Sequence, residues 1–257
     1  ETFGNPSSIH GFGRVAHEKL ETARQMIADT LQVKSHEIIF NSGGTEGDNT
    51  AILETAFARQ SEGKHLITTA IEHPAVLNTM KYLETQGFEV TYLPVDENGN
   101  LSIADFQQAL REDTILVSIM YGNNEIGNLM PIKEIGELLA EHPAYFHTDA
   151  VQAYGNQTIR PEALGLDLLS VSAHKINGPK GVGFLYKRDG VVIPALLLGG
   201  EQEEKRRAGT ENLAGIWGMA TAATILDEEE RQARSEKYQK FQQMILTALE
   251  DHGIEYQ

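Results

Sequence analysis

No cysteine occurs among the 257 residues. That excludes disulfides and thiolate metal sites within this chain, and it removes the best neutral-pH nucleophile that side chains offer. Long apolar runs are missing too: nothing approaches the roughly 18 residues that a membrane-spanning helix needs. Residues Glu1 to Pro6 carry no basic segment leading into an apolar one, so no secretory leader is read there. Basic side chains are few beside acidic ones, 21 against 37, for a net charge of −16. Such a balance argues against nucleic-acid phosphates as partners and favours solubility. A cytoplasmic protein is expected, with no nucleic acid, no membrane and no metal among its ligands. Proline is sparse at 8 residues, whereas glycine reaches 24 and apolar residues 40%, the make-up of a globular enzyme rather than a disordered chain.

What is present is alternation. Short apolar runs predict strands over 37–41, 65–69, 89–93, 114–120, 144–148, 166–170, 181–186 and 191–193. Helical patterns over 14–31, 45–61, 74–86, 103–110 and 131–141 lie between many of them. Strand–helix–strand repetition predicts an α/β fold, a mostly parallel sheet sandwiched by helices. Ligands in such sheets bind at the carboxyl ends of the strands. Residues 212–251 read as helical, with a junction in the charged stretch 227–234. A large domain over 1–228 is expected, and 229–257 as the first helix of a small α+β domain. Residues 252–257 read as a helix end entering a new strand, so a fragment of a longer protein is expected.

The most informative stretch is Ser170-Val171-Ser172-Ala173-His174-Lys175, continued by Ile176-Asn177-Gly178-Pro179-Lys180-Gly181. An apolar run empties there into small, polar and glycine-rich sequence ending in a lysine. An amine held just off a strand end sheds water and some proton affinity, the condition for a Schiff base with an aldehyde. Ser172 and His174 add donors suited to a phosphate. Strand 37–41 leads into Ser42-Gly43-Gly44-Thr45-Glu46-Gly47-Asp48-Asn49, where glycines admit an anion to the backbone and the first helical N–H groups face it. The spacing is not G-x-G-x-x-G and no Lys-Ser/Thr pair follows, so neither a dinucleotide nor a P-loop site is read. A phosphate monoester fits, as does a strand–helix turn with no ligand. Asp149 ends strand 144–148, placed either to keep a pyridine nitrogen protonated or to cap a helix, with Gln152 three residues on. His73 precedes a helix starting near Pro74 and is read as stacking on an aromatic ring, as an acid/base, or as a cap. Asn123 and Asn124 bring amides to the same rim. Five strand ends thus deliver a phosphate loop, an imidazole, amides, a carboxylate with a glutamine, and a lysine with serine and histidine. Together they describe a site for pyridoxal phosphate.

These motifs, in this order, resemble the cysteine desulfurases of the NifS kind, in the class V aminotransferase group of fold type I enzymes. The resemblance runs over essentially the whole chain. It is carried by Gly4-Asn5-Pro6-Ser7-Ser8-Ile9-His10, Ser42-Gly43-Gly44-Thr45-Glu46, Glu72-His73, Asn123-Asn124-Glu125-Ile126-Gly127, His147-Thr148-Asp149-Ala150-Val151-Gln152, Ser172-Ala173-His174-Lys175, Gly178-Pro179-Lys180-Gly181 and Arg207-Ala208-Gly209-Thr210-Glu211-Asn212. It implies that Lys175 carries pyridoxal 5'-phosphate, that Asp149 pairs with the pyridinium, and that Gln152 bonds the ring hydroxyl. It implies that His73 stacks on the ring, with Asn124 beside it, and that His73 is an acid/base for the substrate thiol. Gly44, Thr45, Ser172 and His174 are implied to hold the phosphate. Thr210, with Arg207, is implied to reach the phosphate of a neighbouring subunit in a homodimer. Lys175, His73 and Asp149 are the implied catalytic residues. The implied reaction converts L-cysteine to L-alanine, leaving sulfur as a persulfide on an enzyme cysteine. A sulfur-acceptor protein follows, an iron–sulfur scaffold or a tRNA-thiolation enzyme.

The departures matter as much. Gly47 stands where the family commonly has serine, and Glu201 interrupts a glycine run. The family's sulfur-accepting cysteine, its first strand and most of its small domain have no counterpart among these residues. Selenocysteine lyase and a non-catalytic cofactor-binding or interaction fragment stay open beside the desulfurase reading, and this cysteine-free chain is expected to turn nothing over by itself.

Overall fold

The computed structural model describes residues 2–255. Strands β1 (Ile38–Asn41), β2 (His65–Thr69), β3 (Glu89–Leu93), β4 (Thr114–Ser118), β5 (Tyr145–Asp149), β6 (Leu168–Ser172) and β7 (Gly183–Lys187) form one sheet. Its order is β1-β7-β6-β5-β4-β2-β3. Strand β7 runs antiparallel to both its neighbours, and every other pairing is parallel. The mostly parallel sheet expected from the alternation is what forms.

Helices cover both faces, and the strands show why their sequences read as unbroken apolar runs. In β2, Leu66 packs with Ile52, Val76 and Met80, whereas its neighbour Ile67 joins the cluster of Leu20, Ile27 and Ile216. In β4, Leu116 and Val117 divide in the same way. The first face is therefore covered by α2 (Gly44–Arg59) and α3 (Pro74–Thr85), the second by α1 (Gly11–Leu31), α4 (Ile103–Ala109), α5 (Ile132–Leu139) and α6 (Leu213–Ile225). Only β3, at the sheet edge, lets side chains reach solvent along most of its length. Helix α7 (Glu228–Asp251) follows and buries none of its side chains.

Three expectations need correction. Residues 191–193 form no strand: the Val191 N–H donates to the Arg188 carbonyl at 3.1 Å and its own carbonyl accepts from Lys187 Nζ at 2.7 Å. That turn consumes the groups a strand would need for pairing. The helix junction lies at Leu226–Asp227, at the first residue of the charged stretch, and the rest of that stretch is helix. Asp227 accepts from the Glu230 N–H at 2.9 Å, and Glu228, Glu229 and Glu230 fill the first turn, where the helix dipole favours negative charge. After α7, Ile254 and Glu255 have no strand geometry, and Tyr256 and Gln257 lie outside the described residues.

The register decides where chemistry collects. Ser118 pairs with His147 and Asp149 with Ser170, so the carboxyl ends of β4, β5 and β6 share one edge of the sheet. Strand β7 begins at that edge, because Gly183 pairs with both Asn41 and Ser172.

Candidate active site

At that edge a cavity of about 240 Å³ opens, lined by residues from five segments. Gly44 and Thr45 come from the first turn of α2. His73 lies just before α3, Asn124 follows β4, Asp149 ends β5 with Gln152 behind it, and Ser172, His174 and Lys175 close β6. Nine of the ten expected cofactor-binding residues therefore meet on one cavity. Thr210 does not line it and is solvent-exposed. A larger cleft of about 850 Å³ at the opposite end of the strands is lined by charges that are already paired: Lys34 with Asp189 at 3.1 Å, and Arg188 Nε with Asp167 at 2.7 Å. Size alone does not locate the chemistry.

The end of the cavity at α2 is built from backbone. Gly43 caps α2 at φ +143°, and a Cβ there would stand 3.3 Å from Ser172 Oγ. A side chain would be strained and would crowd the serine. No side chain caps the helix, so its first N–H groups and positive dipole end face the cavity rim. Ser172 Oγ and His174 Nδ1 lie 2.7 Å apart across the same rim. Burial, with Lys175 and Lys180 nearby, depresses the His174 pKa and favours the neutral ring.

Lys175 sits in a single tight turn, Ala173–Ile176, which ends with Asn177 at φ 63°. Its side chain is exposed, so the expectation of an amine stripped of water does not hold. Asp149 is buried, and its Oδ1 accepts the Val151 N–H at 2.9 Å. Burial raises its pKa, against which the Val151 N–H and the Lys175 charge act. The carboxylate bonds a turn of its own, and no helix starts there to be capped. His73 does cap one: its Nδ1 accepts the Ala75 N–H at 3.1 Å at the start of α3. Capping and lining the cavity are thus both true of this residue. Asn123 is the scaffold of its loop, donating to the Ile71 carbonyl and accepting from Glu125 and Ile126, while the exposed Asn124 meets the cavity.

Arg207 binds Glu46 in the first turn of α2, Nε to Oε1 at 2.8 Å. Glu46 in turn accepts the Ser42 N–H at 2.9 Å. The pair ties the segment carrying Thr210 to the loop that precedes α2 in its own chain.

Two buried acids near the cavity were not expected from the motifs. Asp48 lines it at 1% exposure, and Glu72 lies beside it at 4%. For Asp48 a signal exists in the sequence. It falls in the stripe Gly44, Gly47, Asp48, Ala51, Ile52, Thr55, Ala56, which recurs at the helical period and packs on the sheet. An aspartate inside an apolar stripe marks a buried carboxyl.

Comparison with known proteins agrees with this geometry. The family Aminotransferase class-V matches residues 1–255. A relative from Bacillus subtilis (strain 168) is 56% identical over 256 residues, covering 100% of this chain and 67% of its own length. A cysteine desulfurase of Methanosarcina thermophila is 55% identical over 229 residues, 89% of this chain and 57% of its own length. The chain thus spans between about three fifths and two thirds of these relatives. Among solved structures, a NifS-like protein superposes with a TM-score of 0.94 at 40% identity, covering 98% of this chain and 69% of that one. A protein solved in complex with cysteine superposes at 0.85, also with 40% identity, over 92% of this chain and 69% of its own. Family match, sequence identity and fold converge: the chain belongs to the aminotransferase class-V family, with the cysteine desulfurases of the NifS kind.

Proposed function

We propose that this chain is the pyridoxal-phosphate-binding part of a cysteine desulfurase. One observation carries the reading. A primary amine (Lys175), a buried carboxylate (Asp149) and an uncapped helix start flanked by Ser172 and His174 meet on a single cavity. These residues fit the cofactor's three recognisable parts. The backbone kept bare at Gly43 and the Ser172–His174 pair suit the phosphate. Asp149 suits the ring nitrogen, and Lys175 is the amine for the aldehyde.

When bound, the cofactor supplies a protonated ring that draws electron density from the substrate α-carbon. The residues do the rest. Asp149 would hold the proton on the ring nitrogen, Gln152 would bond the ring hydroxyl, and His73, with Asn124 beside it, would help to hold the ring. Lys175 is the base that moves the α-proton, and His73 serves the substrate thiol through Nε2, since Nδ1 is committed to the cap. L-cysteine as substrate is supported by the relatives' desulfurase name and by the solved relative holding cysteine.

The same proposal includes a large domain over 1–228 with α7 starting a second unit, a homodimer in which Thr210 reaches the partner's site, a cytoplasmic location, and a sulfur-acceptor protein. No helix among the described residues is long and apolar enough to cross a membrane. To test the reading, the purified chain is incubated with pyridoxal phosphate, reduced with borohydride and mapped. A visible absorption band and a label on Lys175 are expected. A label elsewhere, with Lys175→Ala still coloured, would remove the proposal.

A further inference from the structure

Three buried carboxyls gather at the cavity, Asp48 and Asp149 lining it and Glu72 beside it. Asp48 comes from α2, Glu72 from the loop after β2, and Asp149 from the end of β5. They are 1%, 4% and 7% exposed. A cation faces only one of them: Lys175 acts on Asp149. Glu72 Oε1 accepts the Thr69 hydroxyl and the Met120 N–H, both at 2.8 Å, and so ties the ends of β2 and β4 together. Its Oε2 is buried with no partner, as is Asp48 Oδ1.

The neighbours of Asp48 are neutral as well. Ser118 Oγ lies 2.8 Å from His147 Nδ1, His147 Nε2 lies 2.9 Å from Ser170 Oγ, and the Ser170 hydroxyl bonds the Asp48 carboxyl. Two polarities satisfy that chain: Ser118 donates to Nδ1, the Nε2–H to Ser170 and Ser170 to Asp48, or a protonated Asp48 donates to Ser170, Ser170 to Nε2 and the Nδ1–H to Ser118. His147 is fully buried, its pKa pushed down to about 3, so it brings no charge to Asp48 Oδ1 at 3.6 Å. Gly47 makes the room, because a Cβ there would stand 2.9 Å from Ser170 Oγ. A buried carboxylate with no cation beside it loses its hydration without compensation, and taking up a proton relieves that.

We infer that Asp48 and Glu72 are kept as neutral carboxylic acids, positioning residues that leave Asp149 the single anion beneath the cavity. The purpose assigned to them rests on the proposed pairing of Asp149 with the cofactor ring. Their protonation does not. Three ionised carboxylates would repel one another and raise the proton affinity of Asp149, so that it would share a proton with its neighbours instead of holding the ring nitrogen's. Two neutral acids remove that competition while Glu72 still fastens two strand ends. Burial pushes Glu72 up to about 8, and burial together with the Asp149 charge raises Asp48 well above the usual carboxylate range.

The groups facing these two acids are Asp149, each other, and the neutral His147, so the sign is set by burial. An acid whose folded-state affinity for protons is raised stabilises the fold at low pH and loses that contribution as pH rises toward its folded value. The amides of Glu72→Gln and Asp48→Asn have nothing to lose. Urea unfolding of the chain should therefore give a variant-to-parent ratio of folding constants that climbs with pH. For Glu72→Gln the climb should approach about tenfold per unit between about pH 5 and about pH 8. A ratio independent of pH overturns the inference. Should either variant not fold, infrared spectroscopy of the parent decides. Protonated-carboxyl bands present at neutral pH and lost on unfolding support it, and their absence overturns it. With pyridoxal phosphate bound, Glu72→Gln should leave the pH midpoint of the visible band within about 0.3 unit of the parent. A shift of about one unit or more would make Glu72 an ionised neighbour of the ring and overturn the assigned purpose. Failure of any visible band to form would strike at the cofactor reading, and is distinguishable because the folding ratio needs no cofactor.

Discussion

At His73 one imidazole serves both structure and site. The Nδ1 lone pair accepts the Ala75 N–H, which leaves the proton of the neutral ring on Nε2. His73→Ala should cost about 1 kcal/mol of stability, the usual value of a helix cap, read by urea unfolding. His73→Asn restores a capping side chain and should recover that stability, yet leave the visible spectrum of the bound cofactor altered as in His73→Ala. Recovery of both would make His73 a cap and nothing more. For Asp149, replacement by Asn should slow exchange of the α-proton of L-alanine with solvent by about 10²- to 10⁴-fold, since an oriented charge of this kind contributes that much. Exchange within about twofold of the parent would cancel its role. At this scale the motifs named nine residues that meet on the cavity. Glu72 stood inside a quoted motif with no part assigned to it, because its meaning comes from Met120 and Asp149, which only the assembled sheet brings alongside.

Among the elements, the turn before Arg207 is the one that sequence conceals. Glu203, Glu204 and Lys205 hold φ of 47°, 55° and 67°, one left-handed turn with no glycine in it. Read as sequence, three charged residues look like solvated loop. In the fold, Glu203 is buried, accepting from Arg24 Nη1 and Nη2 at 2.6 and 2.9 Å and from the Phe40 N–H at 3.0 Å. That buried pair holds the backbone where L-residues resist going, at about 1 kcal/mol or more for each residue. Lys205→Gly should therefore raise stability by about 1 kcal/mol, visible as a higher Tm. Glu203→Ala, which strands the Arg24 guanidinium, should lower it by about 3–5 kcal/mol. A Lys205→Gly chain no more stable than the parent would mean the turn carries no strain. Strand positions were legible to within two residues because both sheet faces are buried. The false strand at 191–193 arose from the same apolar cue without a neighbour to pair with.

For the molecule as a whole, α7 is the outlier. Tyr238, Phe241, Met244 and Ile245 are exposed at 57%, 47%, 60% and 60%, and the helix is held largely by its own hydrogen bonds. Hydrogen exchange in α7 should be far faster than in β4 or β6, whose side chains are wholly buried. Equal protection would show a cover on this face in solution. Sulfur transfer should be absent from the isolated chain even with cofactor bound, because none of its 257 residues is a cysteine. Catalytic formation of alanine and sulfide in equal amounts, without added thiol, would contradict that.

The sheet order also sets a timetable. Strand β1, which leads into the loop before α2, borders only β7. A ribosome delivers β1 early and β7 late, after the four parallel strands between them in the sequence and β6 have emerged. Until then the loop that precedes α2 has no seat, and β1 presents an unpaired edge of the kind that invites association between chains. The pairing that completes the loop spans much of the chain, so it is slow to close. Nascent chains halted before Gly183 should therefore be unable to retain the cofactor's phosphate, and they are the form of this protein most in need of a chaperone.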